Sequence, residues 1–276
     1  MNVKELFNVI NEIAPKSLSD EYCEKYGAYD NSGVLIDTGA EVVGVCFSLD
    51  FSFDAIDCAV KNGANVLVTH HPAIYGKIGD IAVSETNPLK EKLIACIQKG
   101  ISVISMHLNL DCAKGGIDEM LAQAIMRATG ETDDTRICAE IEKATVMHPL
   151  CVGGYGRVYP VKESTLNGLV AGLKKELNAE RVTVYGEEEK KIARVASFCG
   201  GGADEQAVAF AIQTGADAVI SSDFKHHIIT TLTERGVAVI ALTHYATETY
   251  GFEKFYQKIS RKIALSCYYC KEEKYL

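Results

Sequence analysis

Residues 64–72 read ANVLVTHHP, from Ala64 to Pro72. A small residue leads into Val66-Leu67-Val68-Thr69, an apolar run too short for a helix, which then breaks into a polar loop bearing His70 and His71. An apolar run without alternation reads as a strand buried on both faces, the habit of parallel sheets. Upstream lie a strand, VVGVCFSL (42–49), and a helix closed by Gly63, FDAIDCAVKNG (53–63). Downstream come the helix PLKEKLIACIQKG (88–100), the strand ISVISM (101–106) and the helix GIDEMLAQAIMRATG (116–130). Strands alternating with helices imply βαβ units.

The pattern returns later in the chain. A helix is expected over 162–178, strands over 181–185 and 192–198, a helix over 203–214 and the strand DAVIS over 217–221. A helix over 225–235, the strand VAVIAL (237–242) and a helix over 247–263 follow. ANVLVTHHP resembles ADAVISSDFKHH (216–227), and ISVISMHLNLD (101–111) resembles VAVIALTHYATE (237–248). The expected fold is therefore α/β: two similar α/β halves with mixed or largely parallel sheets flanked by helices. The halves divide as 1–130, carrying His70, His71 and Asp111, and 131–276, carrying His244 and Glu248. The segment 131–162 reads as less regular, with a glycine-rich turn GGYGRVYPV (153–161).

A chain of 276 residues suits two domains. Its 47% hydrophobic and 24% charged residues are ordinary globular usage and exclude a disordered, collagen-like or coiled-coil chain. Basic residues number 28 against 37 acidic, a net charge of −9, so the field repels phosphate. Nucleic acid and anionic membranes are poor partners for such a surface. No run of about 18 apolar residues would span a membrane. The start, MNVKELFNVINEIAP, is an amphipathic helix and not a signal peptide, so a cytoplasmic location is expected. Most of the ten cysteines sit in apolar runs, as Cys46, Cys58 and Cys96 do, and read as buried thiols. Cys267 and Cys270 form a CxxC with no second pair at zinc-finger spacing.

The histidines carry the chemistry. Six of the seven (His70, His71, His107, His226, His227 and His244) follow expected strands, where open α/β sheets bind ligands. His70 and His71 are adjacent in a loop, so their side chains should point apart and each hold one of two neighbouring ions. His244 and Glu248 are four apart at a helix start and share a face. Asp111 opens a polar loop whose Gly115 and Gly116 let backbone approach closely. Imidazoles with carboxylates suit zinc, iron, manganese or nickel. Two such ions about 3.5–4 Å apart activate a water and clamp an oxyanion. His107 and His226 read equally as loop or helix-cap residues, and His148 as structural or exposed. His227 and Asp223 are candidates for proton transfer or substrate contact. Asp223 reads still more readily as a helix N-cap, although it or Asp30 could accept a hydrogen bond from a ligand histidine. Cys199-Gly200-Gly201-Gly202 reads as a tight turn rather than an anion cradle.

At these residues the sequence resembles the Nif-three-like proteins, also called the GTP cyclohydrolase I type 2 family. The matching segments are Tyr29-Asp30-Asn31-Ser32-Gly33, Thr69-His70-His71-Pro72, and His107 to Asp111 with Gly115-Gly116. Gly156-Arg157, Gly200 to Gly202, Ser222-Asp223, and Thr243 to Glu248 complete them. The resemblance implies a dinuclear site on His70, His71, Asp111, His244 and Glu248, and a toroidal homohexamer. It also implies two divalent ions serving a hydrolase that acts on a nucleotide or related phosphorylated small molecule. The alternative it carries is a non-catalytic metal-binding assembly or regulatory protein. The chain departs from the family in having Thr243 and Ser222 where glycine is common, and His226 where tyrosine is common.

Overall fold

The computed structural model describes residues 1–83 and 86–275. Eleven strands lie among them. In chain order the first six are β1 (Gly33–Ile36), β2 (Gly44–Ser48), β3 (Val66–Thr69), β4 (Ser102–Ser105), β5 (Thr145–Pro149) and β6 (Gly154–Thr165). The others are β7 (Val182–Tyr185), β8 (Lys191–Ser197), β9 (Ala218–Ser221), β10 (Ala238–Leu242) and β11 (Ser266–Cys270). The chain forms two compact units, one of residues 1–113 and 252–271, the other of 114–251 with the residues from 272 onward.

The first unit holds a five-stranded sheet in the order β1-β4-β3-β2-β11. Only β1 is antiparallel to its neighbour. Strands β2, β3 and β4 are buried along their whole length, as their unbroken apolar runs require. Leu67 and Val103 of the sheet pack with Ile56, Leu93 and Ile101 in one core. The helix Phe53–Lys61 starts where Ser52 Oγ accepts from the Ala55 amide at 3.1 Å. The helix Pro88–Gln98 starts on Asn87, with proline in its first turn.

The second unit holds a six-stranded mixed sheet in the order β5-β6-β8-β9-β10-β7. Strands β8, β9 and β10 run parallel, and the outer pairings are antiparallel. Each unit is thus a mixed sheet flanked by helices, the expected α/β class. The irregular middle is more ordered than its sequence suggests. Residues Asp134–Glu142 form a helix capped by Asp133, and β5 pairs with β6. The glycine-rich turn is instead the first part of β6. Gly154 and Gly156 adopt positive φ there (137° and 68°), and a Cβ on Gly156 would lie 2.7 Å from the Phe198 ring. Glycine answers that close approach and hides the alternation of a strand. Because β6 runs to Thr165, the next helix begins at Leu166 and not at 162.

Further elements with no clear sequence signal include the helix Lys16–Tyr26, β1, the short helix Leu108–Cys112 and β11. Cys267 and Cys270 sit three apart on the extended β11, which turns them to opposite faces. That spacing cannot serve a shared metal or a local disulfide, and none of the ten cysteines is disulfide-bonded. Among the described residues no helix is long and apolar enough to cross a membrane.

Candidate metal centre

In the first unit β3 and β4 are parallel neighbours, with Thr69 opposite Ser105. Their carboxyl ends deliver His70-His71 and His107 side by side. The His70 and His71 amides donate to Leu49 O at 3.1 and 3.0 Å, which fixes the turn. His70 Nδ1 stands 2.7 Å from Met106 O. A carbonyl only accepts, so the proton is on Nδ1 and Nε2 carries the lone pair. His70 Nε2 lies 3.5 Å from Asp111 Oδ1. Two donors about 2.1 Å from one ion in a tetrahedron stand about 3.4 Å apart, so this pair fits a shared ion.

His71 Nδ1 lies 2.7 Å from Asp50 Oδ1, and His107 Nδ1 lies 2.7 Å from Asp30 Oδ1. Asp30 also accepts from Ser19 Oγ at 2.5 Å and Ser32 Oγ at 2.6 Å. Burial pushes the Asp30 carboxyl up, but these hydrogen bonds and the His107 charge outweigh it and hold it well below the usual carboxylate range. The His70 and His71 rings do not diverge as adjacent side chains were expected to. Their centroids are 4.9 Å apart, and both lie within 6.0 Å of the His107 ring. His107 caps the short helix Leu108–Cys112, which turns Asp111 back beneath it. His70, His107 and Asp111 offer ligand atoms within 4.8 Å of one another, enough to hold a metal ion.

The second unit has its own donor pair. Strands β9 and β10 are parallel neighbours, ending at Ser222-Asp223 and His244. His244 Nδ1 lies 2.5 Å from Asp223 Oδ2, and its Nε2 lies 3.1 Å from Glu248 Oε1, one helical turn on. The preference for Asp223 as an N-cap is corrected here. The helix His226–Glu234 has Lys225 at its N-cap with no side-chain cap, while Asp223, at φ 52°, points its carboxylate to His244. Asp223→Ala is accordingly expected to weaken zinc binding about 10- to 100-fold in a chelator competition, through loss of the bond that orients His244.

The glycine loop after β8 is a tight turn pressed against this pair. Gly200 O accepts from Ser222 Oγ at 2.7 Å, and the Gly200 amide donates to Thr247 Oγ1 at 2.9 Å. A Cβ on Gly202 would fall on the Tyr155 hydroxyl, which itself donates to Cys199 O. His227 does not join Asp223 or His244 in hydrogen bonding. Its Nε2 pairs with the exposed Glu205 at 3.0 Å. His226 is exposed at the start of that helix, and His148 is buried in β5.

The two units share one device: a carboxylate on histidine Nδ1 and a second carboxylate four residues after that histidine. Asp30, His107 and Asp111 make one set, and Asp223, His244 and Glu248 the other. Sequence reasoning passed over Asp50. It stands two residues beyond β2, so the strand-end rule that drew attention to the histidines would have found it. Thr247 and Ser19 had no comparable signal.

Comparison with known proteins places these residues in context. The sequence model of the family described as Duf34/NIF3 (NGG1p interacting factor 3) matches residues 1–273. The chain is 32% identical over 252 residues to a Clostridium acetobutylicum protein named "GTP cyclohydrolase 1 type 2 homolog", covering 90% of this chain and 85% of that one. Its fold matches the solved structure of reduced HcgD from Methanocaldococcus jannaschii with a TM-score of 0.78 and 25% identity over 98% of each chain. It matches the Staphylococcus aureus hypothetical protein SA1388 with a TM-score of 0.77 and 25% identity, over 98% of this chain and 96% of that one.

Proposed function

Since the chain belongs to the Duf34/NIF3 family, we propose that His70, His71, Asp111, His244 and Glu248 together hold two divalent ions, of zinc, iron, manganese or nickel. The reading carries with it hydrolysis of a nucleotide or related phosphorylated small molecule. One observation supports it above the rest. His70, His71, His107 and His244 all have Nδ1 against an oxygen acceptor, which presents Nε2 as the metal-binding nitrogen on three separate loops or helix starts. Bound metal would supply Lewis acidity and a water of lowered pKa. The chain's own carboxylates do the rest: Asp50 and Asp223 aim their imidazoles, and Asp30 aims His107. Asp223 therefore serves as a positioning residue. His227, tied to Glu205, would serve as a proton carrier or a substrate contact. The same membership leads us to propose a ring of six chains, checked by light scattering.

Elemental analysis tests the site. About two ions per chain are expected in the wild type and a loss of both in His70→Ala/Glu248→Ala. No bound metal after reconstitution with zinc, iron or manganese would sink the proposal. The loaded protein is expected to hydrolyse GTP or simple phosphoesters. The family's description, with its interacting factor, favours one rival, a metal-binding protein that works by protein interaction. That rival gains if the loaded protein turns over none of these compounds and captures a specific protein even as Glu248→Ala.

A further inference from the structure

Two tyrosines flank the histidines of the first unit with their rings in solvent. Tyr29 is 52% exposed and Tyr75 59%, unusual for aromatic side chains beside a buried polar cluster. Neither ring sits on a loose loop. Tyr75 Oη donates to Tyr29 O at 3.1 Å, and Asn31 Nδ2 donates to Ile74 O at 2.8 Å, so two loops more than forty residues apart are tied at adjacent points. The Tyr29 and Tyr75 rings meet edge to face at 5.2 Å and 86°. Tyr75 then meets His107 edge to face at 6.4 Å and 88°, and His107 lies 5.3 Å from His70. The result is a row of rings that begins at the metal-binding histidines and ends in solvent.

We propose that Tyr29 and Tyr75 form a stacking lip for a flat heteroaromatic ring, whose attached anionic group reaches the histidine cluster. The inference rests on the reading of that cluster as a metal centre and names the part of the ligand the centre does not hold. Aromatic side chains have a face available to any flat ring, and stacking on them contributes substantially to the binding of nucleic-acid bases. Hydrogen bonds to backbone fix the lip in advance, so little conformational freedom is lost on binding. Two rings are also far too small an area for stable docking of another protein. The partly exposed His107 edge beside Tyr75 suits a ring with nitrogen and oxygen atoms better than a plain hydrocarbon.

Calorimetric titration of the zinc-loaded full chain with guanosine 5′-monophosphate, and with ribose 5-phosphate as the ring-free control, tests the lip. The nucleotide is expected to bind at least about tenfold more tightly than the sugar phosphate. Tyr75→Ala and Tyr29→Ala should each erase most of that preference, with zinc content and Tm unchanged, and Tyr75→Phe should keep it. Equal binding of both probes by the wild type, including no binding of either, overturns the proposal, as does a preference that survives both alanine variants. Zinc bound without a nucleotide preference removes the lip alone. A Tyr75-dependent preference in a chain that binds no zinc keeps the lip and removes the metal reading.

Discussion

Gly200→Ala should lower zinc affinity about 100-fold or more while the chain stays folded. Gly200 has φ 56°, a region that costs an L-residue roughly 1–2 kcal/mol. The larger effect is steric. A Cβ there would clash with Glu248 Oε1 and stand 3.1 Å from His244 Nε2, the two atoms proposed to face a metal in this unit. The backbone has little room to retreat, because the Gly200 amide is held by Thr247 and its carbonyl by Ser221 and Ser222. The carboxylate must therefore leave, taking one end of the donor pair with it. Chelator competition with the purified variant measures this, with circular dichroism as the control for folding. An affinity within threefold of the wild type would show that Glu248 does not bind metal from its present position.

Arg157→Met should cost about 3–5 kcal/mol of stability, the penalty for stranding a buried charge. Arg157 is 2% exposed and Asp118 is fully buried. Arg157 Nε donates to Asp118 Oδ2 at 2.6 Å, Nη1 to Glu119 Oε1 at 3.4 Å, and Nη2 to Gly154 O at 3.2 Å. Removing the guanidinium takes the charge partner away from the Asp118 carboxylate in the core, while the Gly156 amide still donates to its Oδ1 at 3.2 Å. For a unit of this size the melting temperature should fall by about 10 °C or more. Arg157→Met/Asp118→Asn should regain much of the loss, since a neutral amide needs no counter-charge. Thermal denaturation of both variants decides the matter. If the double variant melts no higher than the single one, the loss is one of packing and not of charge.

The parts of the fold legible in the sequence were those where burial leaves an unbroken apolar run. Val66-Leu67-Val68 and Ala238-Val239-Ile240 read as strands because both their faces are covered. β11 escaped because it is an edge strand of half-buried residues and carries no such run. β6 escaped because its glycines serve close contacts and not turns. In the candidate site, ligand types and i, i+4 spacing are local properties, so His244 with Glu248 and Asp111 with its neighbouring histidine could be read directly. The partners of the imidazoles are another matter. Asp30 lies 77 residues from His107 and Asp50 lies 21 from His71, and local spacing holds no record of which distant loops meet.

The first unit is not continuous in the chain. Its sheet carries β2 beside β3 early in the sequence, yet the strand on the other side of β2 is β11, which follows the whole of residues 114–251. On the ribosome, β2 must therefore wait with an open hydrogen-bonding edge while the second unit is made. Such an edge is a template for pairing with another chain, and nascent chains with exposed edges are prone to misassembly. Completion of this sheet thus waits until β11 has been made, and chains stopped short of residue 266 are expected to collect in aggregates and not as a soluble first unit.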